Sequence, residues 1–74
     1  MKNQESIVAF SVHLRQLREQ KKYSQQDLAN ESDIDKKTIQ RIENARLNPS
    51  LDTLVSLAKG LNISMCELIG SVLR

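Results

Sequence analysis

The sequence is poor in the residues on which many small folds depend, and each shortage excludes something. It has one cysteine, Cys66, so it can form neither an internal disulfide nor a multi-thiolate zinc site. The local sequence Ser64-Met65-Cys66-Glu67 gives that thiol no cationic neighbour, so it reads as a small apolar core or interface residue in a reducing, cytosolic compartment. Tryptophan is absent, and Phe10 and Tyr23 are the only aromatics; Val, Ile and Thr nowhere alternate at period two, which argues against a strand-built core. With two glycines and one proline there is no glycine loop to cradle a phosphate and no flexible linker. His13 is the only histidine and has no acid–base or metal-ligand companions, so it reads as a solvated helix residue and an enzyme is not expected. No apolar run approaches a membrane span, and the start Met1-Lys2-Asn3-Gln4-Glu5 is polar. Neither a metal, a cofactor nor a small-molecule ligand is called for.

Charge is present but nearly balanced. Eleven Lys and Arg against nine Asp and Glu give a formal net charge of +2, too small to imply nucleic acid by itself. Its distribution says more. Residues 24–34 carry only Asp27, Glu31 and Asp33, whereas residues 35–46 carry Lys36, Lys37, Arg41 and Arg46 against Asp35 and Glu43. A nearly neutral chain can still present a basic face.

Apolar residues recur at spacings of three and four, and cap signals divide the chain into helices. Ser24 can cap a helix with Asp27 three residues on, while Tyr23 and Leu28 flank it as a hydrophobic staple. Asp35 repeats the pattern with Ile34 and Ile39, and Ser64 repeats it with Glu67, Ile63 and Leu68. Ser50, after Asn48-Pro49, is the fourth cap. The spacing predicts helices near 6–21, 25–31, 36–44, 51–60 and 65–72, an all-α five-helix arrangement in one domain spanning 1–74. The expected core stripes are Ile7, Phe10, Leu14 and Leu17 on the first helix, and Leu51, Leu54, Leu57, Ala58 and Leu61 on the fourth.

The second and third helices are short and separated only by Ser32 to Asp35, so they must cross steeply, as in a helix-turn-helix. Leu28, Ile34, Ile39 and Ile42 can pack inward, and Ala29 is small where the two helices approach. On the third helix Lys36, Lys37, Gln40, Arg41 and Asn44 form one continuous arc opposite Ile39 and Ile42. Lys37 and Arg41 repel at i, i+4, a cost that facing phosphates would reverse. Lys and Arg suit guanine, and Gln and Asn suit adenine, in a major groove. A solvated polar face is the alternative for the arc taken alone. On the first helix Arg18 interrupts the apolar stripe, and Glu43 lies beside the inward face of the third helix. An Arg18–Glu43 pair tying the two together resolves both anomalies and reads as structural.

Residues 14–69 resemble the lambda-repressor/Cro-like (XRE-type) helix-turn-helix domain. The resemblance rests on Leu17-Arg18, Ser24-Gln25-x-Asp27-Leu28-Ala29, Thr38-Ile39-x-x-Ile42-Glu43, Asn48-Pro49-Ser50-Leu51-x-Thr53-Leu54 and Leu57-Ala58, all in register. It implies that Lys36, Lys37, Gln40 and Arg41 read base edges of double-stranded DNA. It also implies that Gln25 holds a phosphate while bracing the third helix, and that Thr38 and Asn44 touch the DNA backbone. Arg46 follows in the next loop, within reach of a phosphate or of the adjacent minor groove. Two departures stand out. Asp33 occupies the turn position that is usually glycine, and Asn44-Ala45 replaces a glycine after the third helix, where Asn44 is expected to supply a left-handed cap.

Met65, Leu68, Ile69, Val72 and Leu73 offer more apolar surface at the carboxyl end than inward packing needs, with Val8 and Val12 on the outer side of the first helix. The expectation is a two-fold contact between copies, because one recognition helix reads too few base pairs to select a site. The reading is therefore a homodimeric regulator on a palindromic operator, in a bacterial or phage-encoded cytoplasmic protein. Phage-type repressor, restriction–modification controller and antitoxin all fit. A protein-interaction module on the same fold is the alternative.

Overall fold

A computed structural model describes residues 4–70. They form five helices: α1 (Gln4–Gln20), α2 (Gln25–Ser32), α3 (Lys36–Glu43), α4 (Leu51–Leu61) and α5 (Met65–Ile69). No strand occurs among the described residues.

The helix starts follow from the capping chemistry. The hydroxyl of Ser24 accepts the N–H of Asp27 at 3.0 Å while the Asp27 carboxylate accepts the N–H of Ser24 at 2.9 Å. Ser64 and Glu67 make the same reciprocal pair. Asp35 accepts the N–H of Thr38, and Ser50 that of Thr53. Each bond satisfies an amide that the first turn leaves without an intrahelical partner.

The ends of α1 to α4 share one geometry as well. Lys22, Asp33, Ala45 and Asn62 all stand in the left-handed region, with φ between 56° and 61°, and none of them is glycine. Behind each, two amides turn back onto the last turn. Tyr23 N–H reaches Arg18 O, Ile34 N–H reaches Ala29 O, Arg46 N–H reaches Arg41 O and Ile63 N–H reaches Ala58 O, at 2.8–3.1 Å. This is the Schellman closure, which satisfies end carbonyls in exchange for one strained residue. Three joints then use the same three-residue device: a left-handed residue, an apolar residue that packs on the core (Tyr23, Ile34, Ile63), and the next cap (Ser24, Asp35, Ser64). The expected left-handed Asn44 is corrected here. Asn44 lies at φ −94°, ψ 9°, and Ala45 carries the left-handed turn, because the closure needs that conformation one residue later.

Phe10 and Leu14 of α1, Leu28 and Ala29 of α2, and Ile39 and Ile42 of α3 meet Leu57, Ala58 and Leu61 of α4 and Leu68 of α5 in one core. Fully burying such a side chain contributes roughly 1.5–3 kcal/mol. Leu51 departs from its expected place, being 71% exposed. It is the first residue of α4, and a helical side chain leans toward the N-terminus, so Leu51 overhangs the end of the stripe. His13 also departs from expectation. Its Nε2 lies 2.9 Å from the carbonyl of Glu67, joining α1 to the end of α5.

α2 and α4 approach each other closely at Gly60. A β-carbon there would fall on Ser32 Oγ and within 2.9 Å of the Ser32 Cα and N atoms. Gly60→Ala is therefore expected to destabilise the domain by about 1–3 kcal/mol in urea unfolding followed by circular dichroism. Adding Ser32→Gly should restore only part, since the Ser32 backbone remains in the way. An unchanged midpoint for the single variant would contradict this packing.

Candidate nucleic-acid interface

The site is built around a buried anion. The Glu43 side chain has no solvent exposure, so its carboxylate must find all its partners within the protein. Arg18 supplies two, with Nε 2.7 Å from Oε2 and Nη2 3.1 Å from Oε1. This fork-on-fork geometry is the strong form of the pair. The third Arg18 nitrogen, Nη1, donates to Tyr23 O at 2.8 Å, fastening the joint between α1 and α2. Gln25 Nε2 donates to Glu43 Oε1 at 3.1 Å; a carboxylate oxygen only accepts, which sets the orientation of the amide. Hydrogen bonding to Glu43 raises the Arg18 pKa above its ordinary value, against an opposing effect of burial. One carboxylate thus fixes α3 against both α1 and α2. The expected pairing of Arg18 with Glu43 is present, and so is the bracing role of Gln25.

With Ile39, Ile42 and Glu43 turned inward, the opposite face of α3 is determined. Lys36, Lys37 and Arg41 are exposed there and Gln40 is half-buried. Among the described residues the ion pairs within 4 Å involve only Arg15, Arg18 and Glu43, so the three α3 cations form none. Asn44 and Arg46 are exposed just beyond the helix, and the Arg46 N–H bonded to Arg41 O at 2.8 Å folds that segment back over its end. Thr38 sits differently from the other expected contacts. Its hydroxyl donates to Asp35 Oδ1 at 2.7 Å, so its single donor is already spent on the cap.

One residue that sequence reasoning passed over joins the cluster. Arg15 Nη2 lies 3.3 Å from Glu43 O, and its Nε 3.5 Å from Glu43 Oε1. The available signal was its spacing, one helical turn before Arg18. Of the carboxyl-end residues expected to meet a second copy, Leu68 is wholly buried in the core and has no surface to offer. Met65 and Ile69 are half-buried against the core; Val72 and Leu73 lie outside the described residues.

A short α2, a tight left-handed turn and a cationic α3 locked by Glu43 define a helix-turn-helix DNA-binding domain. The chain belongs to the HTH_3 helix-turn-helix family, of the XRE type, whose model matches residues 14–68. It is a regulatory DNA-binding protein and not an enzyme. The restriction–modification controller protein C.AhdI from Aeromonas hydrophila is similar, at 37% identity over 84% of this chain and 94% of that one, with a TM-score of 0.81. The wild-type controller protein C.Esp1396I is similar at 26% identity over 92% of this chain and 88% of that one, with a TM-score of 0.83. The hypothetical transcription factor NHTF from Neisseria, at 24% identity and a TM-score of 0.82 over 90% of this chain and 77% of that one, shares the fold. No curated protein matches significantly. No helix of the described residues is long and apolar enough to cross a membrane.

Two stability predictions follow from this geometry. Glu43→Ala strands a buried guanidinium and should remove about 3–5 kcal/mol in urea unfolding, much of what a domain this size possesses. A loss below about 1 kcal/mol would show the pair to be dispensable. The second concerns acid. The Thr38 hydroxyl, aided by the Thr38 N–H and the Arg41 charge, holds the Asp35 carboxyl below its ordinary 3.8. The N–H and hydroxyl of Ser24 do the same for Asp27. A depressed folded-state value stabilises fully above the unfolded one and is lost as pH falls through the lowered value. The melting temperature should accordingly drop below about pH 4, and Asp35→Asn, which keeps a capping oxygen but cannot titrate, should flatten that drop. An acid limb as steep as the wild type's would remove Asp35 from the account.

Proposed function

We propose that the protein is a homodimeric, sequence-specific regulator that binds a palindromic operator in double-stranded DNA, of the kind that controls a restriction–modification system. The observation that carries the reading is the row Lys36, Lys37 and Arg41 on α3, exposed and without ion pairs among the described residues, on a helix that Glu43 holds rigid. Lys and Arg donate to guanine O6 and N7, and Gln40 between them can pair with adenine. Gln25, at the first residue of α2, keeps one amide N–H beyond its bond to Glu43 and holds a phosphate. Asn44 and Arg46 meet the backbone beyond α3. Thr38 meets it by giving up its hydroxyl's bond to Asp35 and donating to a phosphate oxygen instead.

A second copy follows from information content, since one α3 reads only a few base pairs. The half-buried Met65 and Ile69, with Val72 and Leu73 beyond the described residues, form the two-fold contact in this reading. Val8, 45% exposed, and Val12, 52% exposed, on the outer side of α1 extend it. The likeness to C.AhdI over 94% of that chain favours a controller over a repressor or an antitoxin.

The test is selection from random duplex DNA at about 150 mM salt, where non-specific binding is weak. Enrichment of two inverted half-sites centred about one helical turn apart is expected. Against that site Arg41→Ala should lose about 1–3 kcal/mol of affinity and relax preference at one base position. Gln25→Ala should weaken all duplexes alike. If no motif were enriched, or if Arg41→Ala left affinity and preference intact, the assignment of α3 would be wrong.

A further inference from the structure

We propose that Arg15, together with Gln25, forms a seat for one phosphate of the DNA backbone where α1, α2 and α3 meet. The proposal rests on the DNA-binding reading above and extends the contact surface to α1.

The argument begins with a count of charges. Glu43 brings one negative charge to the cluster, and Arg18 and Arg15 bring two positive ones. Arg18 takes both carboxylate oxygens, spends its remaining nitrogen on Tyr23 O, and is only 13% exposed. It neutralises Glu43 by itself. Arg15 approaches the same carboxylate at 3.5 Å and the Glu43 carbonyl at 3.3 Å, both longer than any Arg18 contact, and its side chain is 48% exposed. The surplus charge therefore resides on Arg15, at the surface.

Those long contacts are weak as stabilising bonds, but they fix a position. They hold the guanidinium at the last turn of the recognition helix, beside the same Oε1 that Gln25 Nε2 touches at 3.1 Å. Arg15 Nη1 makes no hydrogen bond among the described residues, and the Gln25 amide has a second N–H. Two donors, one of them charged, thus lie side by side at the rim of α3, over a carboxylate that another residue has already neutralised. A guanidinium so placed suits a phosphate, whose several oxygens accept from a planar fork. A free-standing anion site would gain nothing from being tied to α3. A DNA backbone gripped there has its register set relative to Lys36, Lys37, Gln40 and Arg41.

Binding of the full chain to a mixed-sequence duplex, followed by fluorescence anisotropy as salt is raised from about 50 to 200 mM, tests the seat. Each phosphate contact contributes about 0.9 to the slope of log affinity against log salt. Arg15→Gln removes the charge and the far nitrogens of the fork, leaving an uncharged amide at about the place of Nε. Its slope should be shallower by about 0.9 per protomer, so that its affinity loss over this salt range is about threefold smaller per protomer. Arg15→Lys should keep the wild-type slope, and both variants should select the wild-type operator sequence. Thermal denaturation by circular dichroism establishes that each is folded. A folded Arg15→Gln with the wild-type slope would overturn the seat alone. Wild-type protein that shows no salt-dependent binding would bring down the DNA-binding reading, and the seat with it.

Discussion

A carboxylate with no access to water must be matched by protein donors, or it will not remain charged inside a fold. Glu43 is in that position, and much of the molecule is arranged by its requirement. Arg18 comes from α1, Gln25 from α2 and the carboxylate itself from α3, so none of the three helices can slide or rotate without breaking a charge-assisted bond. Arg18 also holds the Tyr23 carbonyl, which ties the constraint to the joint leading into α2. α3 is presented at one angle because the residue at its C-terminal end is pinned from behind. The proposed base readout needs that rigidity, since contacts to base edges tolerate little displacement.

The joints between helices show how so short a chain holds five of them in place. Three joints compress the end of one helix, a core contact and the start of the next into three residues: Lys22-Tyr23-Ser24, Asp33-Ile34-Asp35 and Asn62-Ile63-Ser64. The middle residue serves both neighbours, as the hydrophobic contact behind one helix and the staple before the next. Left-handed backbone at Lys22 and Ala45 costs of order 1–2 kcal/mol each, offset by the end carbonyls it satisfies. The joint from α3 to α4 is built differently, and its longer path through Arg46, Leu47 and Asn48 lies beside the proposed DNA surface.

Charge is used in two ways. Acidic residues at helix starts, Asp27, Asp35 and Glu67, are occupied by caps. The cations of α3 take no part in ion pairs within the described residues, and Arg15 is only partly engaged. A net charge of +2 therefore conceals a locally cationic face, because much of the negative charge is spent on holding the helices.

The amino-acid sequence by itself determined the helix count, the four caps, the inward and outward faces of α3 and the pairing of Arg18 with Glu43. Capping and periodicity act over three or four residues, and a charge within an apolar stripe demands a partner wherever the chain runs. The tertiary structure decided what depends on how finished helices abut. It put Gly60 against Ser32 and brought His13 to the carbonyl of Glu67. It also moved Leu68 from the expected surface into the core, left Leu51 overhanging and brought Arg15 to a carboxylate 28 residues away. No local pattern encodes these contacts. A short cap bond needs only its own segment, whereas a contact between α1 and α3 or between α2 and α4 exists only once the whole core has set their distance.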